Sequence, residues 1–85
     1  MDLENIRKRI DAVDEALLDA LSHRMELIEQ IAHVKRTKGL PVFDAERERL
    51  IFERLAERAA QRGLDISLVE TILRRVIAHS RARQN

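Results

Sequence analysis

The 85-residue chain has no cysteine, tryptophan or tyrosine, and only two phenylalanines, two glycines and one proline. Without cysteine, disulfides, thiol nucleophiles and cysteine–metal sites are excluded. So few aromatic residues leave little of what strands favour, whereas 45% hydrophobic and 36% charged residues suit amphipathic helices. Neither sign of charge dominates: sixteen Lys and Arg against fifteen Asp and Glu leave a net +1. No long-range field therefore argues for nucleic acid or an anionic membrane as a partner. No apolar run nears the roughly 18 residues of a membrane span. The opening MDLENIRKRI also lacks a signal-peptide hydrophobic region. The expectation is a soluble, cytoplasmic protein forming one small domain, residues 1–85.

What is present is helical periodicity. KGLPVFD (38–44) holds one glycine and the only proline, and RGLD (62–65) holds the other glycine. These turn signals predict three helices, over 3–38, 45–61 and 66–84, with Asp65 as N-cap of the third and Gly63 as C-cap of the second. The first segment alternates steps of three and four: Leu3, Ile6, Ile10, Val13, Leu17, Ala20, Arg24, Leu27, Ile31, Val34. Nine of these ten positions are apolar, which predicts coiled-coil-like pairing. Such a helix is about 50 Å long at 1.5 Å per residue. A compact monomer of this size is only roughly 30 Å across. The helix would project from it with its seam exposed, so the expected architecture is all-α, three helices per chain, in a two-fold homodimer.

Polar residues interrupt the apolar faces at several places. Arg24 occupies the seam, and Lys35, eleven residues on, has nearly the same rotational angle. In the third segment the stripe Val69, Ile72/Leu73, Val76/Ile77 ends in Ser80 and Gln84. In the second, Asp44 and Glu48 precede Ile51 and Leu55 on one face. Each has a plain structural reading: a register-setting ion pair for Arg24, a fraying helix end for Ser80 and Gln84, an N-cap for Asp44. Together they fit one polar pocket inside a helical bundle better than a set of coincidences. A charge there is costly unless a counter-charge meets it, so the seam cations ask for an anion. His23, His33 and His79 have no metal-ligand spacing. Ser80 has no base beside it and no nucleophile-elbow motif. The run DAERERLIFERLAERAAQR reads as a solvated face with pairs such as Arg49–Glu53.

The chain resembles the all-helical chorismate mutases, found alone or as the N-terminal domain of bifunctional chorismate mutase–prephenate dehydratase and dehydrogenase enzymes. The resemblance rests on IRKRIDAVDEALLDAL with Arg7 and Asp14, and on HRMEL with Arg24. It continues through VKRTKGLPVFDAERER with Lys35, Asp44, Arg47 and Glu48, and HSRARQ with Ser80 and Gln84. Single motifs of this kind are weak, but their order and spacing over residues 3–84 are specific.

The resemblance implies an intertwined three-helix homodimer with two active sites. It also implies the Claisen rearrangement of chorismate, a dianion, to prephenate, without cofactor, metal or covalent intermediate. Arg24 would bind one substrate carboxylate, and Arg7 of the other subunit would bind a carboxylate too. Guanidinium suits the task because its fork matches a carboxylate bidentately. Lys35 and Gln84 would donate to the ether oxygen, and Glu48 would accept from the ring hydroxyl with the backbone near Asp44 assisting. Ser80 would add a polar contact, Arg47 would line the site and pair with Asp44, and Asp14 would serve a cation structurally. Geometry independently favours Arg7 in trans. It lies about 42 Å along the helix from Lys35. Antiparallel pairing about residue 18 would bring it level with residue 29 of the other chain. Because Gln84 stands on the last turn, fraying there would weaken that donor.

Two rivals remain from the sequence. An isochorismate pyruvate lyase shares the fold, but the lyases lack the Asp44/Glu48 pattern. A non-catalytic helical dimerisation or regulatory module would leave Lys35, Glu48 and Gln84 as unrelated accidents.

Overall fold

A computed structural model describes residues 2–85; Met1, the first residue of the expected domain, lies outside the described residues. Three helices follow in order: α1 (Leu3–Lys38), α2 (Ala45–Gln61) and α3 (Ile66–Gln84). Their bounds match those read from the turn signals.

Each boundary has a local cause. The Asp2 carboxylate accepts the Glu4 amide at 2.9 Å, satisfying a backbone donor that the first turn of α1 cannot. α1 ends at Gly39, whose φ of 68° lies in the left-handed region. There the Leu40 amide donates to the Lys35 carbonyl at 2.8 Å and closes the last turn, and Pro41 follows. Asp44 caps α2 by accepting the Arg47 amide at 3.0 Å, and Asp65 caps α3 by accepting the Ser67 amide at 2.9 Å. At the end of α2 the cap is Arg62 rather than Gly63. The glycine stands one residue beyond, at φ 66°, where the turn needs a left-handed residue. The amides of Gly63 and Leu64 return to the carbonyls of Ala60 and Ala59 at 3.1 and 3.0 Å.

α3 packs against both other helices, whereas α1 and α2 do not pack against each other among the described residues. The buried apolar side chains are Ile28 and Ala32 of α1, Ala59 of α2 and Ile77 of α3. All the α1 contribution comes from its C-terminal half. In the other half Leu3, Ile10, Val13, Leu17, Leu18 and Leu21 are exposed. The molecule is 55 Å long with a radius of gyration of 16.1 Å, against about 12 Å for a compact chain of this length. No helix of the described residues is long and apolar enough to cross a membrane.

Candidate active site

Where α3 crosses α1, the three helices enclose a cavity of about 310 Å³, within the range of small-molecule sites. The C-terminal half of α1 supplies Arg24 and Lys35. The start of α2 supplies Asp44, Arg47 and Glu48, and the last turns of α3 supply Ser80, Arg81 and Gln84. Leu27, Ile28, Ile31, Val42, Ile51 and Ile77 form the apolar remainder of the wall. Seven of the eight expected site residues thus converge on one cavity. Arg7 is the exception: its own chain leaves it exposed on the bare half of α1, 3.6 Å from Glu4.

The polar side chains are already ordered against one another. Lys35 Nζ donates to Gln84 Oε1 and to the Val42 carbonyl, both at 2.7 Å. An ammonium has three donors, so one remains for a ligand. Because Lys35 can only donate, it fixes the amide of Gln84 with its oxygen toward the ammonium. The Gln84 nitrogen is thereby left as a donor, now 3.3 Å from the Ser80 carbonyl. Gln84 is 9% exposed and Ser80 3%, so neither behaves as a fraying end. Arg24 Nη1 donates to Ser80 Oγ, which in turn donates to the Val76 carbonyl at 2.8 Å. Among the described residues no buried side-chain nitrogen or oxygen lacks a partner.

Two features of the electrostatics point to an anionic ligand. Arg24 has its pKa pushed below the usual arginine value, first by burial and second by the like charge of Arg47. Moreover, the lining carries four cations (Arg24, Lys35, Arg47, Arg81) against two carboxylates (Asp44, Glu48), an excess of two positive charges.

Some expected pairings differ. Asp44 meets Arg47 through the Arg47 backbone amide, because its carboxylate serves as N-cap of α2. Asp14 is exposed, with no ion pair among the described residues. Sequence reasoning passes over Arg81. Its Nη2 and Nε grip the two oxygens of Glu48 at 2.5 and 3.1 Å, and its guanidinium lies 4.3 Å from the centroid of the Phe43 ring. The sequence feature that bears on it is Phe43, one of only two aromatic residues, in the loop just before the Asp44 cap.

Comparison with known proteins gives this arrangement a lineage. The family described as "Chorismate mutase type II" matches residues 6–85. A chorismate mutase of Methanocaldococcus jannaschii is 32% identical over 82 residues, covering 96% of this chain and 83% of that protein. The T-protein of Enterobacter agglomerans is 38% identical over 84 residues, 99% of this chain but 22% of that protein. A 4-amino-4-deoxychorismate mutase of Streptomyces venezuelae is 37% identical over 68 residues, covering 80% of this chain and 66% of that protein. The chain therefore spans about a fifth of the T-protein and most of the archaeal mutase. By the near-complete family match and by the archaeal relative, this chain belongs to the type II chorismate mutase family.

Proposed function

We propose that the chain, as one domain over residues 1–85, is a chorismate mutase that rearranges chorismate to prephenate for phenylalanine and tyrosine synthesis in the cytoplasm. The observation that carries this reading is the cavity's chemistry: a two-charge cationic excess beside a neutral amide whose oxygen is held by Lys35. A dianion is drawn to such an excess. A pericyclic rearrangement asks of the protein only a fixed reactive conformer and stabilisation of the charge that grows as the carbon–oxygen bond breaks.

In this reading Arg24 takes one carboxylate, and the free donor of Lys35 and the Gln84 nitrogen meet the ether oxygen. These contacts strengthen as that oxygen becomes negative, so they favour the transition state over the ground state. Glu48 accepts from the ring hydroxyl with the backbone near Asp44 assisting, Ser80 holds Arg24 in place, and Arg47 adds positive charge to the wall.

The same proposal makes the protein an intertwined homodimer. Its accessible surface is 7035 Å², whereas a compact monomer of 9.9 kDa exposes about 5,200 Å². Hiding the excess of roughly 1,800 Å² on each of two chains gives an interface in the obligate-dimer class. Antiparallel pairing of the bare halves of α1 would carry Arg7 to the partner's cavity as a second carboxylate ligand.

The test is direct. Purified protein given chorismate should form prephenate, with no release of pyruvate. Arg7→Ala and Arg24→Ala should each be nearly inactive alone, and mixed dimers should recover activity from one site with both arginines intact. Confirmed subunit exchange without recovery would remove the shared site. Finding the protein in the envelope fraction of its host would remove the cytoplasmic assignment.

A further inference from the structure

We propose that Arg81 determines the charge selectivity of the subsite at Glu48, making it accept a neutral hydroxyl on the substrate ring in preference to an ammonium at the same position. The inference rests on the reading that Glu48 faces that ring substituent, and goes beyond it by assigning the discrimination to a residue outside the expected site.

The geometry is specific. Arg81 engages both oxygens of Glu48, at 2.5 and 3.1 Å, so the carboxylate cannot rotate to present a bare edge. The Phe43 ring, 4.3 Å away, backs the guanidinium from the loop side. Each carboxylate oxygen has a second acceptor site, so one hydroxyl can still donate to Glu48. An ammonium gains less. The charge it would meet on Glu48 is matched by that of Arg81, and it must approach the cation as well as the anion. Asp44 is the other carboxylate of the lining, with one oxygen engaged as the cap of α2.

The charge of the whole cavity points the same way. Arg81 is one of four cations against two carboxylates in the lining, and Arg7 from the other chain would add a fifth. A substrate with two carboxylates and an ammonium carries −1 and offsets that surplus less well than one of charge −2, and Arg81 enlarges the surplus beside the ring substituent. The cavity also resolves how the site can keep a carboxylate for a hydroxyl without inviting an amine: a lone glutamate would attract the ammonium more strongly, whereas a clamped one does not. Arg81 and Glu48 are 42% and 21% exposed in their side chains, so solvent screens the effect and leaves it moderate.

The experiment compares kcat/KM for chorismate and for 4-amino-4-deoxychorismate at pH 7, where an aliphatic amine carries its proton. Wild type should favour chorismate. Arg81→Met and Arg81→Gln, two uncharged variants so that one misfolding does not end the test, should narrow the preference by about tenfold, chiefly by loss on chorismate and retention or gain on the amine. Arg81→Lys keeps the charge but not the fork, and should hold most of the wild-type preference. An arginine that only supports the fold would lower both substrates together, and an unchanged ratio in the uncharged variants overturns the assignment. Wild type that converts neither substrate would instead overturn the mutase reading; wild type that converts chorismate while the ratio stays fixed removes Arg81 alone.

Discussion

The two halves of α1 carry one heptad pattern and meet different fates. From Arg24 onward α3 packs beside the seam and buries Ile28 and Ala32, while the seam residues Leu27, Ile31 and Val34 stay 44–45% exposed and Arg24 and Lys35 line the cavity. Before it, Leu3, Ile10, Val13 and Leu17 follow the same spacing but are 53–60% exposed. The burial falls one position off the seam, on the face that meets α3, and α3's 19 residues reach along only part of a 36-residue helix. Periodicity therefore shows that a face will be covered, while the lengths of the other elements decide whether the same chain can cover it. In the proposed dimer the bare half is the interface and the covered half is the site.

The strongest way to break this contrast is to charge the bare half. Leu17→Glu changes a side chain that touches little within its own chain, yet it lies beside the proposed two-fold. It should yield a monomer by light scattering, with mutase activity reduced on the order of 10³-fold or more as the trans arginine is lost. A dimeric, active Leu17→Glu protein would refute the interface.

In the covered half, Arg24→Leu restores the apolar pattern. Burial and Arg47 both disfavour the Arg24 charge in the folded chain, so removing it relieves a cost, and Ser80 keeps its bond to the Val76 carbonyl. The melting temperature should stay level or rise while kcat/KM falls about 10²–10³-fold. A marked loss of stability would instead make Arg24 a structural ion-pair residue.

Gln84→Glu sharpens the site further. Glu can donate to the ether oxygen only when protonated. Most activity should therefore be lost near pH 7.5 and regained as the pH falls, without a matching gain in wild type. Parallel pH–rate profiles would mean that this side chain does not reach the reacting oxygen.

The smallest change is expected outside both halves. Arg49 pairs with Glu46 and Glu53 on the exposed face of α2. Arg49→Ala should leave the melting temperature and turnover nearly unchanged, as thermal melts and the mutase assay can check.

Much of this was legible in the sequence, for definable reasons. Helix bounds followed from Gly39, Pro41, Gly63 and the Asp caps, which act over a few residues. The cavity residues were visible because each put a polar group where its stripe called for an apolar one. Arg81 gave no such signal. It stands one position beyond the stripe residue Ser80, in a run of arginines that reads as a solvated helix end. Only the approach of Glu48 across 33 residues and of the Phe43 ring reveals its task. The Asp44–Arg47 contact runs through the backbone amide, a partner that residue type does not announce. Lys35's bond to the Val42 carbonyl was equally hidden, since backbone acceptors in a loop leave no mark on residue type.

The span of the cavity's hydrogen bonds has a consequence for how the protein folds and fails. Arg24 to Ser80 closes 56 residues of chain and Lys35 to Gln84 closes 49, whereas the caps close two or three. Long closures cost the most chain entropy and are formed by few groups, so they belong to the late, least cooperative part of assembly. A 36-residue helix can hold its own backbone ladder with far less help. Mild denaturant should therefore silence the proposed turnover while most of the circular dichroism remains, and removing it should restore turnover.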